Sequence, residues 1–296
     1  AGVTLDEDAH LAIGEGGPIH LTPREFELLA YLMKNAGKMM DGLSLHSYTL
    51  CGDTWENKGS ATEFTEEEYY KTLVRAGKMD ERISGHGAIM DRYDPKKRVG
   101  LIVDEWGTWF DVEPDTNPGF LYQQNTMRDA LVAAVTLNIF NRHCDRVIMA
   151  NLAQTVNVLQ SVLLTEGDQV VLTPTWHVFD LYHAHQGGRE VDCFVQTGTV
   201  GEGEWTMPQI SASASEKEGV LTVTLANLSA DAAAEVDLRG VCAKAARGRV
   251  LSGEIHALND FDASPLTSKE LPVTVAADVL RVSLPACAVA ELTIPC

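Results

Sequence analysis

No apolar run in the 296-residue chain approaches the eighteen or so residues that a membrane-spanning helix needs. Basic residues are scarce: 23 Lys and Arg stand against 42 Asp and Glu, a net charge of −19. That balance repels phosphate backbones and argues against nucleic-acid binding as the main function. Neutral partners such as sugars stay open. Cys-x-x-Cys pairs are missing too. The six cysteines, Cys51, Cys144, Cys193, Cys242, Cys287 and Cys296, are scattered, so neither a disulfide framework nor zinc-ligand spacing is expected. They read as reduced, partly buried small hydrophobes. The opening AGVTLDEDAH lacks the basic patch and apolar core of a secretion signal, and a cytoplasmic location is expected from that. What is present is ordinary for a soluble protein: 45% hydrophobic and 22% charged residues, in a length sufficient for two domains or one large barrel.

Three regions differ in pattern. In residues 1–40, short alternating stretches broken at GEGGP predict a hairpin. LTPREFELLAYLMKNAGKM then predicts a helix, with Thr22 as N-cap, Pro23 at the first helical position, Glu25 closing a capping box and Gly37 as the stop. Residues 41–164 alternate strand with helix. LSLHSYT (43–49), VGLIVDEWG (99–107) and RVIMANLAQ (146–154) are apolar strands; between them lie a helix capped by Thr65 and a second helix at about 122–142. Apolar strands with helical crossovers mean a parallel β/α architecture. From about 165 the helices are expected to stop, and alternating strands such as LTVTLANLS, VLRVSLP and AVAELTIP predict a β-sandwich over 165–296. SASASEKEG (211–219) is expected to be an exposed turn or linker.

In parallel β/α barrels the chemistry sits at the C-terminal ends of strands. Here those ends carry His46 and Tyr48, then Asp104, Glu105 and Trp106, then Asn151 and Gln154. A carboxylate among hydrogen-bonding groups and flanked by Trp106 and Trp109 suits a carbohydrate site, since aromatic faces pack on sugar C–H surfaces. A glycosidase needs such a carboxylate as its nucleophile. His177, His183 and His185 raise a metal site as an alternative, but no metal and no cofactor are expected.

LSLHSYT, KGSATEFTEEEYY, GLIVDEWGTWF, RDALVAAVTLNIFNRHCDRVIMANLAQTVNVLQSVLLTEG and LTPTWHVFDLYHAHQGG together resemble, in order and spacing, the C-terminal half of glycoside hydrolase family 51 α-L-arabinofuranosidases. The resemblance implies a retaining glycosidase with Glu105 as nucleophile and His46, Tyr48, Trp109 and Gln154 binding the sugar. It implies the last three units of a (β/α)₈ barrel followed by a jelly-roll, acting on arabinose-containing oligo- or polysaccharides. The family's general acid/base, the Glu of an Asn-Glu pair, has no counterpart before His46. HLTPREFELLAYLMKNAGKM instead resembles the first helix of a response-regulator winged-helix output domain, which suggests a chimaera joined near residue 40.

The function expected is release of terminal α-L-arabinofuranosyl residues from arabinoxylan or arabinan. The alternatives are a catalytically impaired fragment serving as a carbohydrate-binding or structural module, or a related β-xylosidase or endoglucanase activity. Three parallel strands cannot close a barrel, and the runs GLIVD and RVIMA are expected to lie bare at the sheet margins. A homo-oligomer covering them is therefore expected.

Overall fold

A computed structural model of the chain describes residues 4–6, 9, 11–14, 17–19, 22–24, 26, 27, 30, 40–241, 245–276 and 279–296. It divides into two compact units, Ala1–Asp41 and Gly42–Cys296. In the first, β1 (Thr4–Asp6), β2 (Leu11–Gly14) and β3 (Gly17–Ile19) form a three-stranded antiparallel sheet, one strand more than a hairpin. Pro23, Arg24, Phe26, Glu27 and Ala30 are helical, and the Phe26 N–H donates to Thr22 O at 2.9 Å. Glu25 and Gly37, to which the capping box and the stop were assigned, lie outside the described residues.

The second unit begins with three parallel strands in the order β4 (Gly42–Thr49), β5 (Gly100–Thr108) and β6 (Val147–Leu152). The crossover from β4 to β5 carries α1 (Glu66–Tyr93). Thr65 and Glu68 close its capping box reciprocally, and Glu66, Glu67 and Glu68 sit where the helix dipole favours negative charge. The next crossover carries α2 (Met127–Arg142). It starts five residues later than the apolar pattern alone predicts, because Thr126 and Asp129 form a second capping box that fixes the first turn. Leu73, Ala76 and Ile83 of α1 and Leu131, Ala134 and Ile139 of α2 pack against Leu101 and Val103 of β5, building one core.

Helices do not stop at 165. After a hairpin of β7 (Leu163–Glu166) and β8 (Gln169–Leu172), Thr173 caps α3 (Pro174–Tyr182). The Thr-Pro pair is a helix start, with proline at the first turn where its missing N–H costs nothing. The sandwich proper starts at β9 (Arg189–Glu190) and continues through β10 (Thr199–Glu202), β11 (Trp205–Pro208), β12 (Ile210–Lys217), β13 (Val220–Asn227), β14 (Ala234–Arg239), β15 (Arg247–Ser252), β16 (Lys269–Leu271), β17 (Thr274–Ala276), β18 (Val279–Leu284) and β19 (Ala288–Pro295). A six-stranded sheet of order β16-β15-β19-β13-β12-β9 faces a three-stranded sheet of order β14-β18-β17, with β10 and β11 as a separate hairpin. Ile210, Ala214, Leu225 and Ile294 of the first sheet meet Leu280, Val282 and Leu284 of the second.

The SASASEKEG stretch is not a linker. Most of it is β12, an interior strand paired with both β9 and β13. Its alternation has period two: Ala212 and Ala214 enter the sandwich core, while Ser211 and Ser213 accept from Asn138 and Asn141 of α2 at 3.0 and 2.9 Å. Small side chains let the helix lie close to the sheet, so a composition that resembles a loop folds as a buried strand.

The exposed apolar run is also placed differently. GLIVD is the central strand, with Leu101 and Val103 fully buried. The bare positions are on the flanking strands, at Ile148 and Met149 of β6 and Leu43 of β4. Cys51 and Cys287 are buried, whereas Cys144 and Cys296 are exposed; Cys242 lies outside the described residues. Among the described residues no helix is long and apolar enough to cross a membrane.

Candidate active site

The site forms where β4 and β5 end side by side. Their parallel register shifts between Ser44 and His46: Ser44 pairs with Ile102, and His46 with Glu105. One extra residue is therefore taken up on β5, a bulge of the kind that re-aims side chains. Strict alternation would put Asp104 and Glu105 on opposite faces. With the bulge, Val103 and Trp106 both turn into the core while the imidazole of His46 reaches both carboxylates, Nε2 lying 3.2 Å from Asp104 Oδ1 and Nδ1 3.3 Å from Glu105 Oε2.

Tyr48 completes the set, its hydroxyl donating to Glu105 Oε2 at 2.8 Å. Burial, then the hydrogen bond to Glu105 and that carboxylate's charge, hold the Tyr48 hydroxyl above its ordinary range, so it stays a donor. Both contacts fall on Oε2. Among the described residues Glu105 Oε1 has no hydrogen-bond partner, and the side chain is 41% exposed. A carboxylate held by one oxygen and open at the other is arranged for nucleophilic attack or for proton transfer. Behind it, Ser44 donates to Asp104 Oδ1 at 2.7 Å, and this bond leads in holding the Asp104 carboxyl below the usual carboxylate range.

Trp109 is the first residue after β5, two residues past Gly107. Gly107 adopts φ +136°, a conformation that side-chain-bearing residues rarely enter, and an added Cβ would stand 3.2 Å from Gln160 Oε1. The Trp109 N–H then donates to Thr49 O at 3.0 Å, and its ring lies edge-on to Tyr48 with centroids 4.9 Å apart. Trp106, expected to flank the site, is instead fully buried on the opposite face, edge-on to Phe140 and stacked over Phe179. Gln154 follows β6 in an exposed position, next to Ala153, whose N–H donates to Trp106 O at 2.9 Å. The side chain of Gln154 makes no hydrogen bond to the Glu105 cluster among the described residues.

Sequence reasoning passed over Trp55, whose ring is edge-on to Trp109 at 5.4 Å. The available signal was a lone aromatic within the polar, turn-rich CGDTWENKG. It also passed over Ser44, which lies two residues before His46 and so on the same face of β4. The three histidines do not converge: His177 is buried beside Trp176, and His185 bonds the hydroxyls of Ser215 and Thr224 at 2.7 and 3.0 Å. Among the described residues no three His, Cys, Asp or Glu side chains come together as metal ligands would. A separate cavity of about 950 Å³ lies between the start of α1 and the β10–β11 hairpin. It gathers acidic side chains, and its Trp205 ring is covered by Lys71 and Arg75. It offers no counterpart to the Glu105 arrangement.

Known proteins resemble most of this chain. The family described as the α-L-arabinofuranosidase C-terminal domain matches residues 104–288. An intracellular exo-α-L-arabinofuranosidase of Bacteroides ovatus is 42% identical over 271 residues, covering 88% of this chain and 52% of that protein. The crystal structure of a GH51 arabinofuranosidase from Xanthomonas axonopodis pv. citri superposes with a TM-score of 0.85 at 42% identity, over 89% of this chain and 55% of the other. An arabinose complex of the α-L-arabinofuranosidase from Thermotoga maritima shares the fold, with a TM-score of 0.71 at 23% identity. The chain spans about half the length of these relatives.

Proposed function

The chain belongs to the α-L-arabinofuranosidase C-terminal domain family, and from that membership we propose that it hydrolyses terminal α-L-arabinofuranosyl residues from arabinoxylan- or arabinan-type glycans with retention of configuration. The observation that carries the reading is Glu105, held through Oε2 by Tyr48 and His46 and open at Oε1. In this reading Oε1 attacks the anomeric carbon, the glycosidic C–O bond breaks, and the leaving-group oxygen takes a proton from solvent water. Water then cleaves the resulting glycosyl ester, releasing arabinose and regenerating the carboxylate. Tyr48 and His46 fix the carboxylate, Trp109 packs on the sugar, and Gln154 bonds its hydroxyls. Residues 41–164 are read as the last three units of a (β/α)₈ barrel, with the β7–β8 hairpin and α3 leading into the jelly-roll, and residues 1–40 as a winged-helix remnant.

A second reading, a catalytically impaired carbohydrate-binding fragment, draws on one specific observation. Among the described residues no second glutamate hydrogen-bonds or pairs within the Glu105 cluster; the carboxylate nearest in that network is Asp104, bridged through His46. Removing a general acid typically costs about 10²–10⁴-fold, least for a good leaving group. The substitution Glu105→Ala tests the assignment. It is expected to abolish turnover of an aryl α-L-arabinofuranoside, and wild-type activity in the variant would show the assignment to be wrong.

A further inference from the structure

The aromatic wall beside Glu105 extends one residue beyond those given a role above. Trp55 stands in the loop 51–58 between β4 and α1, 56% exposed, its ring edge-on to Trp109 at 5.4 Å and 81°. Trp109 in turn meets Tyr48, whose hydroxyl holds Glu105. Trp55 is thus one ring farther from the carboxylate than Trp109.

The loop that carries it is unusually well fixed. The N–H groups of Cys51 and Gly52 both donate to Lys58 O, at 3.1 and 2.6 Å, and close the loop at its base. Gly52 is required there, since a Cβ would fall 2.0 Å from Asn57 O. Lys71 and Arg75, one turn apart on α1, both reach the Asp53 carboxylate, at 2.7 and 2.6 Å. Arg75 also donates to the carbonyls of Leu50, Cys51 and Gly52 at 3.2, 2.9 and 2.5 Å. On the other side Asp111, just past Trp109, accepts from the N–H groups of Lys58 and Gly59 at 3.4 and 3.1 Å.

A tryptophan left open to water on a loop clamped from both sides is a preorganised platform: its ordering cost is met on folding and not on binding. Its neighbours Asp53, Thr54, Glu56 and Asn57 are exposed and polar, which suits hydroxyl groups better than an apolar partner. We propose that Trp55 is the platform for the leaving-group sugar, the ring on the far side of the scissile bond from the arabinofuranosyl unit, and that Asp53 positions it through Lys71 and Arg75. This rests on the arabinofuranosidase reading and adds to it where the rest of the glycan lies.

The test is titration calorimetry on the full chain, in a Glu105→Gln background so that no ligand is consumed. The two ligands are L-arabinose and xylotriose bearing one α-L-arabinofuranosyl branch. Trp55→Ala is expected to weaken the branched oligosaccharide about tenfold or more while leaving L-arabinose within about twofold. Trp55→Phe keeps most of the affinity, and Asp53→Ala gives the same selective loss to a smaller degree. Equal weakening of both ligands, or unchanged affinity for the oligosaccharide, overturns the platform. If the Glu105→Gln chain binds neither ligand, the arabinofuranosidase reading itself fails and takes this inference with it.

Discussion

The carboxylate of Glu105 receives Tyr48 and His46 on a single oxygen, and that asymmetry defines what each neighbour does. Tyr48 donates to Oε2, which favours the ionised carboxylate, and the bond also orients Oε1. Tyr48→Phe is therefore expected to reduce kcat on an aryl arabinofuranoside by roughly 10- to 100-fold with little change in KM, the signature of an orienting donor. Steady-state kinetics checks it, and an unchanged kcat would remove Tyr48 from the mechanism. Because the Tyr48 hydroxyl is held well above its ordinary range, no loss of activity from its ionisation is expected below about pH 10. His46, Tyr48 and Glu105 were legible as polar residues at the ends of apolar strands. Trp106 leaves the site because a bulge between β4 and β5 turns it into the core, and that bulge arises from pairing with β4, which no local pattern encodes. The order of the loop carrying Trp55 was illegible for a related reason: the partners that fix it, Lys71, Arg75 and Asp111, are distant in sequence.

Among the elements, the strands and the Thr65-capped helix were readable from periodicity and capping chemistry, whereas β12 was not. Its serines face α2 and its alanines face the sandwich, so the pattern is amphipathic only once both layers exist. The same interface holds a polar network in which Asn138 Oδ1 accepts from Tyr182, Ser213 and Thr224, with His185 against Ser215 and Thr224. Burial pushes His185 down to about 4, against about 6.5 in an unfolded chain. Between those values the unfolded chain binds a proton that the folded one does not. Stability therefore falls as pH drops from about 6.5 to about 4, by up to about 3 kcal/mol in the limit. Urea midpoints at pH 7 and pH 4.5 read this out. His185→Gln, which keeps hydrogen bonding but cannot titrate, is expected to lose much less stability across that interval than wild type. An identical loss in both proteins would show that His185 is not the group responsible.

For the whole molecule, β4 and β6 are the outer members of the three-stranded parallel sheet among the described residues, and Ile148, Met149 and Leu43 lie exposed on them. Apolar edges of this kind favour pairing with a second chain. Light scattering at micromolar concentration is expected to show a species of at least twice the 32.2 kDa of one chain; a monomer with full activity would contradict it. Which apolar run is bare was only partly legible, because the sheet order decides which run is central, and the order comes from long-range pairing. The central claim, that Glu105 attacks the sugar, has a direct measurement. With an arabinofuranoside whose leaving group needs no protonation, the first step is expected to outrun the second where no general acid/base serves the hydrolysis, so the glycosyl ester accumulates. Mass spectrometry of the quenched wild-type chain should then show the added mass of one pentosyl unit on the peptide containing Glu105, absent from Glu105→Ala. An adduct on another residue, or turnover of the same substrate by Glu105→Ala, would contradict the account.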